Sequence, residues 1–210
     1  MSVNAKVKAV VFDLDGVYFE RGTENFVASL IHVYGLTPRQ VEDVYFNSEE
    51  MKKLKLGEIT SHEFWSFATQ RWNVEATREE LIEMMLSGYE VREETQKYIE
   101  KLRLLGVKVA ACSNNFSDRI DGLTKKFNLD QRFDKIVVSC KIGLAKPHSK
   151  VFNYLASELD LMPHEIVMSD DKESNVTVLQ ELGFEAFLYE GWSGFVEKVD
   201  YLLFSDKNNG

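Results

Sequence analysis

The chain has 210 residues, a formal net charge of −9 and an isoelectric point near 5.1, with 44% hydrophobic and 28% charged residues. This balance is ordinary for a soluble globular protein, and the length suits one large core or a core with a small second domain. The negative charge argues against a nucleic-acid backbone or an anionic membrane as the main partner. It does not exclude small anionic substrates, which a local cation or a helix N-terminus can bind.

Cysteine usage and hydropathy predict a cytoplasmic protein. The two cysteines, Cys112 and Cys140, belong to no CxxC motif or Cys/His cluster, so we expect neither a disulfide framework nor a structural zinc site. The first apolar run meets Asp13 too early for the core of a signal peptide, and no apolar stretch approaches the length of a transmembrane helix. We therefore expect no membrane partner.

Short β-branched runs alternate with longer amphipathic stretches along most of the chain. The pattern predicts strands at Val7–Phe12, Val107–Cys112, Lys135–Val138, Glu165–Met168 and Ala186–Tyr189. It predicts helices at Gln96–Leu105, Ser117–Phe127, Lys150–Leu159, Ser174–Leu182 and Phe195–Leu203. This alternation implies an α/β fold, a Rossmann-like three-layer core in which helices cover both faces of a parallel sheet.

A long segment near the N-terminus interrupts this rhythm. Residues 18–90 contain aromatic-rich helical patterns and no strand pattern, and Thr60 with Glu63 fits a capping box at a helix start. A single crossover between parallel strands needs only one helix, so this segment is too long to be one. We expect a helical domain over residues 18–90, inserted into a core domain formed by residues 1–17 and 91–210 and packed over one end of the sheet.

Four polar clusters directly follow predicted strands or the loops after them. Their members are Asp13 and Asp15, Ser113 and Asn114, Lys146, and Asp170 and Asp171. In open parallel sheets, ligands bind beyond the carboxyl ends of the strands. Converging carboxylates repel one another unless a cation lies between them, and hard oxygen ligands suit Mg²⁺. Lys146 would supply a point charge for phosphate and Ser113 a hydroxyl group.

Each cluster alone has a simpler interpretation. Asp-x-Asp-Gly is often only a turn, and Asp170 with Asp171 could cap the following helix. Lys146 alone would be a solvated lysine, and Ser113 with Asn114 a turn or a helix cap. The joint occurrence of the clusters, in this order and after these strands, favours an active site.

These motifs resemble those of the haloacid dehalogenase (HAD) superfamily, and the resemblance covers nearly the whole chain. The segments VVFDLDGV, CSNN, GLAKP and SDDKESN correspond in order to the four motifs of that family. The predicted insertion lies between the first two motifs, where the family carries a helical cap. The resemblance implies a HAD-like core with a helical cap and looks nearest to the sugar-phosphate phosphatases, including the α-D-glucose-1-phosphate type.

The resemblance also implies catalytic and metal-binding roles. Asp13 would attack phosphorus and form an aspartyl-phosphate, and Asp15 would protonate the leaving alcohol and then activate water. Mg²⁺ would be held by the carboxylates of Asp13 and Asp171 and by the backbone carbonyl of Asp15. Asp170 would support the metal directly or through water. Many relatives read Gly-Asp-Ser where this chain reads Asp-Asp-Lys, so the choice of direct ligand between Asp170 and Asp171 stays open.

Phosphate binding and the reaction class follow from the same resemblance. Ser113, Asn114 and Lys146 would bind the phosphoryl oxygens, and Lys146 would also restrain Asp13. Dehalogenases of the superfamily lack an acid two residues after the nucleophile, so the presence of Asp15 favours phosphoryl transfer over carbon–halogen cleavage. The expected partner is a small phosphorylated metabolite, and the oligomeric state is left open.

Two other functions stay possible at this stage. A phosphomutase would use the same core, but the segment Tyr18–Arg21 does not resemble the acidic and histidine pattern of β-phosphoglucomutase-like caps. A non-enzymatic binding module would have lost catalytic groups, whereas every such group is present here. Outside the motifs, Arg21, Asn47 and Trp65 are candidates for substrate contact, and His148 is expected to open the helix that follows it.

Overall fold

The computed structural model describes residues 6–205, so the first and last five residues of the predicted core domain lie outside the described part. The strands are β1 (Ala9–Phe12), β2 (Lys108–Ser113), β3 (Lys135–Val138), β4 (Ile166–Asp170) and β5 (Glu185–Leu188). They form one parallel sheet in the order β3-β2-β1-β4-β5. The predicted strand ends differ from these by at most two residues.

Alternating side chains of the central strand belong to two separate hydrophobic cores. Ala9 and Val11 pack into the core on one face of the sheet, while Val10 and Phe12 pack into the core on the other. The first face is covered by α10 (Ser149–Leu159) and α11 (Glu173–Glu181). The second face is covered by α6 (Glu93–Leu104), α7 (Ser117–Phe127) and α12 (Trp192–Phe204). The predicted three-layer α/β core is therefore confirmed.

A helical insertion, Gly22–Ser87, lies between β1 and α6. It consists of α1 (Gly22–Tyr34), α2 (Pro38–Val41), a π-helical turn (Glu42–Phe46), α3 (Glu49–Leu56), α4 (Ser61–Trp72) and α5 (Arg78–Ser87). The predicted capping box at the start of α4 is confirmed, since Thr60 and Glu63 each bind the other's backbone amide. The division of the chain into two domains near residues 18 and 90 stays a prediction.

Three short elements were not predicted because each is too short to show a periodic pattern. They are α8 (Leu129–Arg132), α9 (Ser139–Ile142) and a 3₁₀ turn (Pro163–Glu165). Helix α9 matters for the site because it directly follows β3 and leads into the loop that carries Lys146. Between residues 6 and 205, no helix is both long and apolar enough to cross a membrane.

Candidate active site

The sheet order brings the predicted polar clusters to one edge. Strand β1 lies between β2 and β4, so Asp13, Ser113 and Asp170 stand at neighbouring carboxyl ends. A cavity of about 300 Å³ opens there, and the predicted residues that line it are Asp13, Asp15, Ser113, Asn114, Lys146 and Asp171. The structure therefore brings the four clusters together, while the chemical role of each residue stays a prediction.

A buried lysine joins two of the carboxylates. The Lys146 Nζ lies 2.9 Å from Asp13 Oδ1 and 2.6 Å from Asp170 Oδ2, and all three side chains are largely shielded from solvent. Burial raises the pKa of Asp13 to about 7, against the opposing charge of Lys146 and with help from Asp170. Burial disfavours the Lys146 cation, but Asp13 and Asp170 together raise its pKa above the ordinary value. Lys146 is therefore a permanent positive charge at the foot of the cavity.

The hydrogen bonds of Asp13 distinguish its two oxygens. Oδ1 accepts from the backbone amide of Leu14 at 2.8 Å and lies against Lys146. Within the described chain, Oδ2 accepts no hydrogen bond. This arrangement fixes the carboxylate through one oxygen and leaves the other available to a ligand or a reacting atom.

Asp170 and Asp171 occupy different environments although they are adjacent in sequence. Asp170 is fully buried, and its Oδ1 accepts from the Lys172 amide at 3.0 Å and from Asn175 Nδ2 at 2.7 Å. Asp171 is exposed, and its carboxylate lies against Gly16, where a Cβ would come within 2.9 Å of Oδ2. Gly16 also has a φ of +86°, a backbone conformation that favours glycine in the turn after Asp15.

The acidic groups fit a hard divalent cation. Asp13, Asp170 and Asp171 each place a carboxylate oxygen within 4.8 Å of the others. Burial and the charge of Asp170 raise the pKa of Asp171, and burial likewise raises the pKa of Asp13. Three carboxylates share the one buried ammonium of Lys146, so the cluster carries more negative charge than Lys146 neutralises. Because both oxygens of Asp170 bind protein donors, Asp13 and Asp171 are the carboxylates most available to the metal.

Two residues that the sequence did not single out hold the Asp15 carboxylate. The buried Arg119 places Nη2 2.9 Å from Asp15 Oδ2, and Tyr89 donates from its hydroxyl to Asp15 Oδ1 at 2.7 Å. Arg119 also donates through Nε to Asn115 Oδ1 at 2.6 Å. Asp15 is thus restrained through both oxygens. Helical periodicity alone predicts an exposed or snorkelling arginine in α7, which is why this contact was missed.

Asn114 has a positioning role that was not predicted. Its Nδ2 donates to the backbone carbonyl of Lys146 at 2.8 Å, and its Oδ1 accepts from the Lys146 amide at 2.8 Å. The side chain therefore anchors the loop that carries Lys146. Ser113 is buried, and among residues 6–205 its hydroxyl has only a long contact of 3.5 Å to Asn115. The contacts of Ser113 and Asn114 with phosphate stay predictions.

The secondary candidates have mixed outcomes. His148 opens α10 as predicted, since its Nδ1 accepts from the Lys150 amide at 3.2 Å. Arg21 lines the cavity. The prediction for Trp65 is wrong, because its ring is buried among Phe26 and Phe64 in the core of the helical insertion and does not line the cavity.

The helical insertion supplies the opposite wall of the cavity. Thr23, Tyr45, Phe46 and Lys55 line it from that side. Burial and the charge of Arg119 lower the pKa of Lys55 to about 8. The cavity is therefore bounded by the sheet edge on one side and by a mixture of hydroxyl, aromatic and amine groups on the other.

Comparison with known proteins identifies the family. A family model described as haloacid dehalogenase-like hydrolase matches residues 7–183. A D-ribitol-5-phosphate phosphatase from Bacteroides thetaiotaomicron is 27% identical, in an alignment that covers 94% of this chain and 98% of the relative.

Solved structures show the same fold. A HAD-like family hydrolase from Porphyromonas gingivalis superposes with a TM-score of 0.76 at 24% identity, covering 93% of this chain and 98% of that one. A HAD family enzyme from Bacteroides thetaiotaomicron, solved with magnesium and inorganic phosphate, superposes with a TM-score of 0.74 at 23% identity, covering 90% and 98%.

Proposed function

This chain belongs to the haloacid dehalogenase-like hydrolase family and is a phosphoric monoester hydrolase, and we propose that it removes phosphate from small sugar or polyol phosphates through an aspartyl-phosphate on Asp13. The observation that carries the proposal is the arrangement of Asp13, Asp15, Lys146 and Asp171 around one small cavity at the carboxyl edge of the sheet. The full-length likeness to a D-ribitol-5-phosphate phosphatase supports the class of substrate.

The first step transfers the phosphoryl group to the protein. Asp13 Oδ2, the oxygen left without a protein donor, attacks phosphorus while Lys146 holds Oδ1. The bond between phosphorus and the ester oxygen breaks, and that oxygen takes the electron pair. Asp15 gives it a proton, so the product leaves as a neutral alcohol. Lys146 and the Ser113 hydroxyl bind the phosphoryl oxygens during the transfer.

The second step restores the protein. Asp15, now a carboxylate, takes a proton from water while the water oxygen attacks phosphorus. The bond between phosphorus and Asp13 breaks, and inorganic phosphate is released. Arg119 and Tyr89 restrain Asp15 throughout, which keeps its carboxylate near the reacting oxygens in both steps.

Magnesium fits the donor set described above. The carboxylates of Asp13 and Asp171 and the backbone carbonyl of Asp15 would hold it, with Asp170 as support. When bound, Mg²⁺ neutralises the crowded carboxylates and the charge on the phosphoryl oxygens. Two free thiols, Cys112 and Cys140, are consistent with the proposed cytoplasmic location.

The test is hydrolysis of p-nitrophenyl phosphate and of a panel of sugar and polyol phosphates, with and without Mg²⁺. Wild type should turn over only with the metal, and Asp13→Asn should be inactive although folded. Asp121→Asn is the matched control, because Asp121 is an exposed carboxylate paired with Lys141 on the surface. A phosphomutase would instead convert hexose phosphates and require a bisphosphate. Magnesium-independent turnover, or full activity in Asp13→Asn, would refute the proposal.

A further inference from the structure

Five cationic side chains line the cavity, and they differ in how their charge is neutralised. Arg119 and Lys146 are buried, and each has a carboxylate oxygen within 3.0 Å. Arg21 and Lys172 are exposed, so water solvates them. Lys55 belongs to neither group, because it is half-buried and, within the part of the chain that the structure describes, its ammonium forms no ion pair or hydrogen bond.

Contacts between the helical insertion and the core fix the position of Lys55. The Ser139 hydroxyl lies 2.5 Å from the Lys55 carbonyl oxygen and accepts from the Asn115 amide at 3.0 Å. Gly57, at the end of α3, has a φ of +73°, and a Cβ there would overlap the backbone carbonyl of Cys140. The last turn of α3 therefore docks closely on α9, and this docking directs the Lys55 side chain into the cavity.

A half-buried ammonium without an ion-pair or hydrogen-bond partner is unfavourable in the free protein, and the charges of Asp15 and Asp13 offset only part of this cost. Such a group is stabilised when an anionic ligand enters the cavity beside it. The ligand in the proposed reaction carries a phosphoryl dianion, which is the anion that this site is built to hold.

We infer that Lys55 is a substrate-binding residue that the helical insertion contributes to the phosphoryl group. The inference rests on the proposed phosphatase function and deepens it. It adds a fourth contact to the phosphoryl group beyond Ser113, Asn114 and Lys146.

The experiment measures binding of inorganic phosphate in the presence of Mg²⁺ by calorimetry, which does not depend on turnover. Lys55→Met should weaken phosphate binding and raise the KM for p-nitrophenyl phosphate by about tenfold to one-hundredfold, with little change in kcat. Lys55→Arg should retain part of the affinity, because it keeps the charge. Lys53→Met, on an exposed position of the same helix, is the control and should bind as wild type.

The outcomes separate the inference from the function on which it rests. Wild-type phosphate affinity in Lys55→Met overturns the inference, even if the protein is an active phosphatase. A raised KM without loss of phosphate affinity also overturns it, because Lys55 would then contact the leaving group. If wild type binds phosphate but hydrolyses no ester, the proposed function fails while the calorimetry still decides the role of Lys55. Absence of phosphate binding by wild type overturns the inference, and the hydrolysis assay alone then decides the proposed function.

Discussion

Replacing Gly57 by alanine tests how the helical insertion positions Lys55. Gly57 ends α3 with a φ of +73°, and its backbone amide donates to the Leu54 carbonyl oxygen at 3.0 Å. An added Cβ would come closer than 3.0 Å to the Cys140 carbonyl oxygen, an approach that real Cβ atoms essentially never show. The last turn of α3 must then move away from α9, and Lys55 must move with it.

The cost has two parts that a matched variant separates. A non-glycine residue in the left-handed region costs about 1–2 kcal/mol. Gly35, which ends α1 with a φ of +66°, has no heavy atom within 4 Å of the added Cβ, so Gly35→Ala carries only this first cost. Overpacking against a backbone atom adds about 1–3 kcal/mol in Gly57→Ala. In a chain of this size, 1 kcal/mol lowers the melting temperature by about 2–4 °C.

Thermal unfolding and phosphate calorimetry together provide the assay. Gly57→Ala should melt several degrees below Gly35→Ala and bind inorganic phosphate more weakly by about tenfold, since an ammonium that moves out of reach loses a charge-assisted contact. Gly35→Ala should bind phosphate as wild type. If the two variants have equal melting temperatures and equal phosphate affinity, the close docking of α3 on α9 does not position Lys55, and the reasoning is wrong.

Three further predictions follow from the same geometry. Arg119→Met should lower kcat by about tenfold to one-hundredfold, because Asp15 loses one of its two restraints, and Arg119→Lys should recover part of the rate. In ligand-free protein, Lys55→Met should raise the melting temperature at pH 7 by about 2–4 °C. Folding lowers the pKa of Lys55 from 10.5 to about 8, so the stability gained by Lys55→Met should be full below pH 8 and should disappear by pH 10.5. Denaturation at a series of pH values measures this dependence. Removal of divalent ions with a chelator should abolish hydrolysis, and added Mg²⁺ should restore it.

The architecture was accessible from the sequence because buried parallel strands and amphipathic helices have strong patterns. All five strands were located to within two residues, and Ser117–Phe127 was predicted with its observed ends. The grouping of Asp13, Ser113 and Asp170 followed from the rule that parallel strands end at one edge. Short elements such as α9 escaped prediction, because four residues show no period.

The contacts that tune the site were not accessible, because they join residues distant in sequence. Tyr89 and Asp15 are in contact although they are 74 positions apart in the sequence, and Ser139 and Lys55 although they are 84 positions apart. Arg119 lies in an ordinary amphipathic helix, and only the tertiary structure shows that it is buried against a carboxylate. The prediction that Trp65 contacts substrate was wrong because an aromatic residue in a helical pattern suits a hydrophobic core and a ligand site equally.

The central claim is covalent phosphoryl transfer to Asp13 with Asp15 activating water. It is tested most directly by rapid-mixing of p-nitrophenyl phosphate with Asp15→Asn in the presence of Mg²⁺. Because p-nitrophenolate leaves without a proton, this variant should still phosphorylate Asp13 but hydrolyse the intermediate slowly. The account predicts a burst of one p-nitrophenolate per active site, followed by a slow phase, and no burst in Asp13→Asn. Slow release from Asp15→Asn without any burst, or a burst of equal size in Asp13→Asn, would contradict it.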